Sequence, residues 1–370
     1  MRRSTLPLAA VLAVLAGCVS DPGTPYSLDT APLAFVDETR RATEDGRGRF
    51  REIFCAVNDA VGRELPNYRP CEDILHRFAD EAAGPGDPVD LAAPRAPHPI
   101  AVVAGLGAQC FGTIVQPFPL ALARLRSLGH RTSAIEVDGL SSSASNARQI
   151  RDAVRDMGLA RGERLILVGY SKGTPDILEA LAAYPELSDR VAAVISVAGA
   201  VNGSPLSYDA PQWMVSLLEG LPGSPCSGGD GGAVESLKPS VRRRFAASHE
   251  LPDDVGYYAL GSFARRNEIS ILLQGTYDEL SQIDPRNDGQ MIFYDQVIPG
   301  GTLLGFVKSD HWAVALPLTR QHPNLAPDLL NHNEFPREVL LESAVRFVEE
   351  RLLSEPPGSA PAKAGADRES

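Results

Sequence analysis

The sequence predicts an α/β protein in which a mostly parallel sheet is flanked by helices. From residue 98 onward, short apolar runs alternate with helix-like stretches, as expected where crossover helices connect parallel strands. The chain has 370 residues, of which 44% are hydrophobic, and this is enough to bury the core of one large domain. The alternation breaks over 202–262, where Gly, Pro and charged residues are frequent, so this segment is predicted to be a cap or lid.

The first residues have the composition of an export signal. Two arginines precede an apolar run over 6–16, which is too short to span a bilayer as a mature helix. The run leads into the letters LAGC, which end at Cys18 and resemble the lipobox of bacterial lipoproteins. That resemblance implies that residues 1–17 are removed, that Cys18 carries a lipid, and that Val19 favours the outer membrane, facing the periplasm. An ordinary signal peptide with an incidental cysteine is the alternative.

Between the signal and the alternating region, we expect a tether and a small helical extension. Residues 18–33 are rich in Pro, Gly, Ser and Thr, as flexible tethers are. Within 34–97 the pattern is helical to about residue 83, with Phe50 and Phe54 at helical spacing and a break at 65–67. An extended linker follows. The extension is therefore expected to pack on the main domain.

Four of the five cysteines follow Cys18, and an exported compartment permits disulfides between them. We favour a bond between Cys55 and Cys71, because they are close in sequence and share the N-terminal extension. This pairing leaves Cys110 for Cys226, and unpaired buried thiols are the alternative. No C-x-x-C pair or His/Cys cluster suggests a metal site.

The main domain is predicted over 98–353, and a disordered tail over 354–370. Its elements follow from apolar runs and helical periodicity. Strands are predicted over 100–104, 133–137, 165–169, 191–197, 269–274 and 302–307, and helices over 118–127, 144–157 and 175–183.

A G-x-S-x-G motif lies between a predicted strand and a predicted helix, in the letters LILVGYSKGTPDILEAL over 165–181. In a nucleophile elbow, a tight turn lifts the serine to the end of the strand, and small flanking residues give the turn room. Gly169 and Gly173 provide that room, and Pro175 suits the first turn of the following helix. We therefore expect Ser171 to be a nucleophile; a βα turn in which glycine serves only geometry is the alternative.

A nucleophilic serine needs an oxyanion hole made of backbone N–H groups. We expect Lys172, which follows the serine, to supply one donor. The second donor is expected from the loop after strand 100–104, where Leu106 is our choice and Gly107 and Ala108 are alternatives. A phosphate-binding loop is disfavoured, because no G-x-G-x-x-G or Walker pattern follows a strand here.

The general base and its acid are expected after the serine, with the histidine last. His311 follows the final predicted strand and is our choice for the base. Two acids are candidates: Asp278, just beyond predicted strand 269–274, and Asp288, 23 residues before His311. The acid would hold the imidazole in one tautomer and stabilise its charged form. The alternative for either aspartate is a purely structural role in a turn.

From about residue 99 to 352, the chain resembles α/β-hydrolases, and among them bacterial lipases and esterases related to triacylglycerol lipases. In that family the triad acid lies in an N-D-G sequence about two dozen residues before the catalytic histidine. Asn287-Asp288-Gly289 and His311 match this pattern, so the resemblance favours Asp288 over Asp278. The chain departs from the family at Ala104, where lipases commonly have His before Gly.

These features predict a serine carboxylic-ester hydrolase that acts through an acyl-enzyme on an apolar or lipidic ester. The mechanism implies no cofactor. Apolar residues of the predicted cap suit such a substrate, although they also suit a cap helix packed on the core. They are Trp213, Met214, Leu217, Leu218 and Leu221. The alternatives are an acyltransferase or thioesterase, and a catalytically silent binding lipoprotein.

Charge and composition limit the partners. The net charge of −12 argues against nucleic acid, because nucleic-acid binding needs a basic face that neutralises phosphates. The expected partners are a small-molecule or lipid ester and, through the lipid on Cys18, a membrane. The sequence does not predict the oligomeric state.

Overall fold

A seven-stranded parallel sheet forms the centre of the protein in the structure, a computed structural model that describes residues 43–94, 96–108, 116–209, 229–321, 330 and 332–354. The strand order is β1-β7-β6-β5-β4-β2-β3, and every neighbouring pair is parallel. The predicted α/β class with a mostly parallel sheet is thus confirmed. The strands are β1 Glu44–Asp45, β2 Ile100–Val103, β3 Thr132–Ile135, β4 Leu165–Tyr170, β5 Val191–Val197, β6 Gly256–Phe263 and β7 Thr302–Lys308.

Helices cover both faces of this sheet. Ile166 and Val168 of β4 point into a core shared with α1, α2 and α10, whereas Leu165 and Leu167 point into a core shared with α3 and α4. Strands buried on both faces explain the continuous apolar runs in the sequence. The helices are α1 Arg47–Val61, α2 Pro119–Ser127, α3 Ser143–Asp156, α4 Gly173–Ala183, α5 Leu206–Asp209, α6 Ala233–Ser236, α7 Pro239–Ser248, α8 Ile271–Leu280, α9 Leu318–Gln321 and α10 Arg337–Ser354.

The predicted strand over 269–274 is wrong. Helix α8 begins at Ile271, within the predicted strand, and its residues Leu273, Tyr277 and Leu280 are buried at helical spacing while Ile271 is exposed. A short apolar run does not distinguish a helix from a buried strand, and here the helical pattern continues beyond the run. The strand that the sheet needs is β6, whose residues we had assigned to the cap.

The N-terminal extension contributes to the sheet, and its predicted helical character is only partly right. Strand β1 pairs with the outer edge of β7, α1 packs on α10, and Leu75 then forms an antiparallel bridge with Val307 further along the same edge. Pro66 and Pro70, which lack N–H donors, interrupt the helical pattern after α1. The extension therefore holds β7 at two points.

The predicted disulfide between Cys55 and Cys71 is present and joins α1 to the loop that follows it. Several predictions concern residues that the structure does not describe, and they stay predictions. They are the signal, the tether that begins at Cys18, the cysteines Cys110 and Cys226, the apolar cap residues and the tail after Ser354. None of the helices that the structure describes combines the length and the apolar composition required to cross a membrane.

Candidate active site

Ser171 lies at the carboxyl end of β4, in a sharp turn that we call the serine turn (Tyr170–Gly173). Its φ of 53° falls in the left-handed region, which residues other than glycine seldom adopt. A Cβ atom on Gly173 would lie 2.2 Å from the backbone oxygen of Val103, so only glycine fits there. The N–H of Ser171 donates to the backbone oxygen of Val197, at 3.3 Å. The strand, turn and helix predicted around Ser171 are confirmed.

His311 lies directly opposite Ser171, in a turn that follows β7 and that we call the histidine turn (Ser309–Leu316). Its Nε2 lies 2.9 Å from the Oγ of Ser171, and its Nδ1 lies 2.8 Å from Oδ2 of Asp288. With the proton on Nδ1 donated to the carboxylate, Nε2 is free to accept the serine hydroxyl. The three side chains, all buried, form one continuous line of hydrogen bonds.

The carboxylate of Asp288 is fully buried and its two oxygens are well satisfied. Oδ1 accepts the N–H groups of Gln290, at 2.9 Å, and of Met291, at 2.7 Å. Oδ2 accepts the hydroxyl of Ser262, at 2.7 Å, in addition to the imidazole of His311. These four bonds fix the carboxylate and compensate for its removal from water.

Asp278, the other acid candidate, lies in α8 and does not contact His311. Its carboxylate accepts two hydrogen bonds from the guanidinium group of Arg266, at 2.6 and 2.7 Å. These bonds lower the pKa of Asp278, and both side chains are about half exposed. Asp278 therefore forms a surface ion pair, while Asp288 contacts the imidazole.

The loop after β2 passes directly over Ser171. A Cβ atom on Gly105 would lie 2.8 Å from the Cβ of Ser171, so the two chain segments are in close contact. Residue pairing explains this proximity, because Val103 at the end of β2 lies beside Gly169 of β4. The loop therefore lies where a carbonyl oxygen at Ser171 would need donors.

The candidate oxyanion donors near Ser171 differ in whether their backbone N–H groups are already hydrogen-bonded. The N–H of Gly107 donates to Gly139, at 3.1 Å, and that of Ala108 donates to Gly105, at 3.3 Å. Across the described part of the chain, the N–H groups of Leu106 and Lys172 have no acceptor. Of the three candidates in this loop, Leu106 is the one whose N–H is unused within the described residues, and its role as a donor stays a prediction.

The side chain of Lys172 is buried in the protein. Its Nζ lies 2.8 and 2.9 Å from the two carboxylate oxygens of Asp176, one turn further along α4. Both side chains are 1% exposed, and Asn146 of α3 donates a further bond of 2.7 Å to Asp176. This buried ion pair connects the start of α4 to α3.

A small apolar cluster adjoins the serine turn and the acid. It contains Leu106, Ala200, Leu237 and Met291. The N–H of Ala200 donates to the backbone oxygen of Ser171, at 3.0 Å, and Met291 donates to Asp288 as described above. This apolar cluster therefore borders the serine turn and the segment that carries Asp288.

Two contacts in this site were missed by sequence reasoning. Ser262 holds Asp288, but it lies in β6, which we had assigned to the cap; the adjacent tyrosines at the start of β6 were the available strand signal. Asp310 precedes His311 and accepts hydrogen bonds from Ser270 and from the N–H of Ala313. Burial raises the pKa of Asp310, and these donors counteract that shift.

The described residues contain no group of three or more His, Cys, Asp or Glu side chains arranged to hold a metal ion.

Solved structures similar to this one include enzymes that act on esters. The crystal structure of a metagenomic carboxyl esterase matches with a TM-score of 0.80 and 40% sequence identity, over 89% of this chain and 97% of that chain. EstA from Clostridium botulinum has the same fold, with a TM-score of 0.52 and 11% identity over 80% of this chain and 98% of that chain. The mature Bacillus licheniformis lipase BlEst2 matches at 23% identity, with a TM-score of 0.49 over 66% of this chain and 96% of that chain. No protein-family model matches the chain, and no curated protein sequence does.

Proposed function

The chain belongs to the carboxyl esterases of the α/β-hydrolase fold, and on this premise we propose that it hydrolyses apolar carboxylic esters through Ser171, His311 and Asp288. The observation that carries this proposal is the line of hydrogen bonds from hydroxyl to imidazole to carboxylate, at 2.9 and 2.8 Å. Those distances are within reach for proton transfer.

In the first half of the proposed reaction, the Oγ of Ser171 attacks the ester carbonyl carbon while Nε2 of His311 takes the hydroxyl proton. The tetrahedral intermediate collapses by breaking the bond to the alcohol oxygen, which leaves with the proton from His311. In the second half, His311 takes a proton from water, and the resulting hydroxide attacks the acyl-enzyme. The acid is released and Ser171 regains its proton.

Asp288 keeps the proton of the neutral imidazole on Nδ1 and stabilises the imidazolium that forms in each half. The negative oxygen of the tetrahedral intermediate would accept the N–H groups of Leu106 and Lys172. Removing one such donor typically costs about 2.7 to 4 kcal/mol of transition-state stabilisation. Support for this assignment comes from the unused state of both N–H groups within the described residues.

An apolar acyl group is the substrate feature that the site favours. The apolar cluster of Leu106, Ala200, Leu237 and Met291 adjoins the serine turn, where the N–H of Ala200 donates to the backbone oxygen of Ser171. Burying apolar surface of the substrate there would contribute about 25 cal/mol for each Å² removed from water.

The proposal is tested with p-nitrophenyl esters of increasing acyl length and with a fluorophosphonate that labels activated serines. We expect the wild-type protein to hydrolyse the esters and to be labelled, and Ser171→Ala to lose both properties while keeping its unfolding temperature. Hydrolysis by Ser171→Ala at the wild-type rate would exclude Ser171 as the nucleophile. If the wild-type protein hydrolysed the esters no faster than the background rate and was not labelled by the fluorophosphonate, the proposed esterase activity would be excluded.

A further inference from the structure

We propose that Tyr170 is a positioning residue that holds the histidine turn in register with the serine turn throughout the catalytic cycle. The inference rests on the proposed function, because it assigns Tyr170 a task in proton transfer between Ser171 and His311. It concerns a side chain that does not take part in the chemistry itself.

Tyr170 directly precedes Ser171 and ends β4. Its hydroxyl group donates a hydrogen bond of 2.8 Å to the backbone oxygen of His311. Its ring also stacks on the imidazole, with ring centroids 5.3 Å apart and planes inclined by 29°. A single side chain therefore joins the serine turn to both the backbone and the ring of His311.

The environment of Tyr170 keeps this contact in place. The side chain is buried, and the edge of Phe118 packs against its ring at a centroid distance of 6.3 Å. Burial, together with the negative charges of Asp288 and Asp310, raises the pKa of Tyr170 well above its usual range. The hydroxyl group thus stays a hydrogen-bond donor over the whole range in which an esterase is assayed.

Among the described residues, the other hydrogen bonds to the histidine turn, apart from that of Ser171, come from segments outside β4. The N–H of His311 donates to the backbone oxygen of Asp288, at 2.9 Å, and the N–H of Phe118 donates to Ala315, also at 2.9 Å. Neither bond fixes the histidine turn relative to Ser171. The bond from Tyr170 does so directly, because Tyr170 and Ser171 are consecutive residues.

The contact from Tyr170 gains importance once the acyl-enzyme has formed. Acylation removes the hydroxyl proton of Ser171, so its hydrogen bond to Nε2 of His311 is lost at that stage. The bond from Tyr170 to the backbone of His311 is unaffected by the chemistry. We therefore assign Tyr170 its largest effect on deacylation, in which His311 must activate water while no longer bonded to the serine hydroxyl.

The test compares Tyr170→Phe with Tyr257→Phe. Each change removes one hydroxyl that donates to a backbone carbonyl, since Tyr257 donates to Pro252 at 3.3 Å. Tyr257 pairs with Val194, which in turn pairs with Leu167 of β4. Tyr257 therefore lies beside the middle of β4 in the sheet and not at the end that carries the serine turn. Both variants keep the aromatic ring, and thermal unfolding measures any loss of stability.

For Tyr170→Phe we expect kcat and KM to fall together by about tenfold, because slower deacylation lowers both in an acyl-enzyme mechanism and leaves kcat/KM, which reports acylation, within about twofold of the wild type. Slower deacylation should also produce a pre-steady-state burst of p-nitrophenol larger than that of the wild type. Tyr257→Phe should match the wild type in kcat and burst. Titration with the fluorophosphonate measures the concentration of functional active sites. Because kcat is calculated per functional site, a fraction of misfolded protein does not alter it.

The proposal is overturned if kcat and burst of Tyr170→Phe stay within about twofold of the wild type, or if both tyrosine variants lose activity equally. Ser171→Ala separates this failure from failure of the proposed function. If Ser171→Ala is inactive and Tyr170→Phe is normal, only the role of Tyr170 is wrong. If Ser171→Ala is fully active, both proposals are wrong.

Discussion

The serine turn and the histidine turn face each other across the site, but they are held in place in different ways. The serine turn depends on tightly packed backbone, with the N–H of Ser171 bonded to Val197 on the neighbouring strand. The histidine turn depends on side chains from distant segments: Asp288 lies 23 residues from His311, and Tyr170 lies 141 residues away. Apart from Ser171 itself, substitutions of single polar side chains should therefore affect function mainly on the histidine side.

The largest expected effect comes from Asp288→Asn. An amide in place of the carboxylate can donate to Nδ1 of His311 and so favours the wrong tautomer, which lowers kcat about 10⁴-fold in enzymes with this arrangement. We expect a loss of that order, measured as kcat with a p-nitrophenyl ester.

Asp278→Asn is the matched control, since it makes the same chemical change in an aspartate that bonds to Arg266 at the surface. We expect its kcat to stay within about twofold of the wild type, because deleting an exposed ion pair changes little. The opposite ranking of the two variants would transfer the role of the acid to Asp278.

The same contrast explains what the sequence could predict. The serine turn was predicted in full because strand, Gly173 and the following helix are adjacent in the chain, and their order alone identifies the motif. Only the resemblance to a known family favoured Asp288 over Asp278 as the acid. Local patterns carry no information about which carboxylate reaches His311 across the fold.

The contacts of Ser262 and Tyr170 could not be predicted for a related reason. Ser262 reaches Asp288 because β6 lies between β5 and β7, and the segment containing β6 looked like part of the cap. Tyr170 occupies the variable position before the serine, where the motif specifies nothing. Both assignments need the order of strands in the sheet, which pattern and spacing do not give.

Asp176→Asn tests whether side chains also matter on the serine side. Asp176 neutralises the buried ammonium group of Lys172, so an amide leaves that charge unpaired. Removing one partner of a buried ion pair typically costs about 3 to 5 kcal/mol. We expect a decrease of that size in the free energy of unfolding, measured by urea denaturation.

Two further variants distinguish a charge effect from general disruption of α4. Asp278→Asn breaks an exposed pair and should cost less than about 1 kcal/mol. The double variant Lys172→Met, Asp176→Leu removes both charges and should recover most of the loss, because apolar side chains of similar volume need no compensation. Equal stability of Asp176→Asn and the wild type would show that the ammonium group finds other partners.

Beyond the histidine turn, the N-terminal extension supports the strands that carry it, and His76 is one of its buried polar residues. Its Nε2 donates to the backbone oxygen of Phe263, at 2.9 Å, and its ring stacks on the Phe263 ring with centroids 3.7 Å apart. Its own N–H donates to Phe306 of β7, at 2.8 Å. His76 therefore joins the extension to the end of β6, next to Ser262.

Burial lowers the pKa of His76 to about 3, from 6.5 in an unfolded chain, despite the opposing effect of the bond to Phe263. Below pH 6.5 the unfolded chain binds a proton that the folded protein excludes, so stability falls as the pH decreases from 6.5 toward 3. At pH 5 the loss amounts to about 2 kcal/mol, at 1.36 kcal/mol for each unit below 6.5. The stabilising effect of a neutral His76 is fully present above pH 6.5.

His76→Gln isolates this contribution, because an amide can donate to Phe263 but does not titrate. In urea denaturation at pH 7 and pH 5, we expect the wild type to lose about 2 kcal/mol more than the variant between the two pH values. All other ionisable groups are the same in the two proteins, so their contributions cancel in this difference. Parallel losses would mean that His76 is protonated without cost in the folded state, and that the contact between extension and β6 opens before the sheet unfolds.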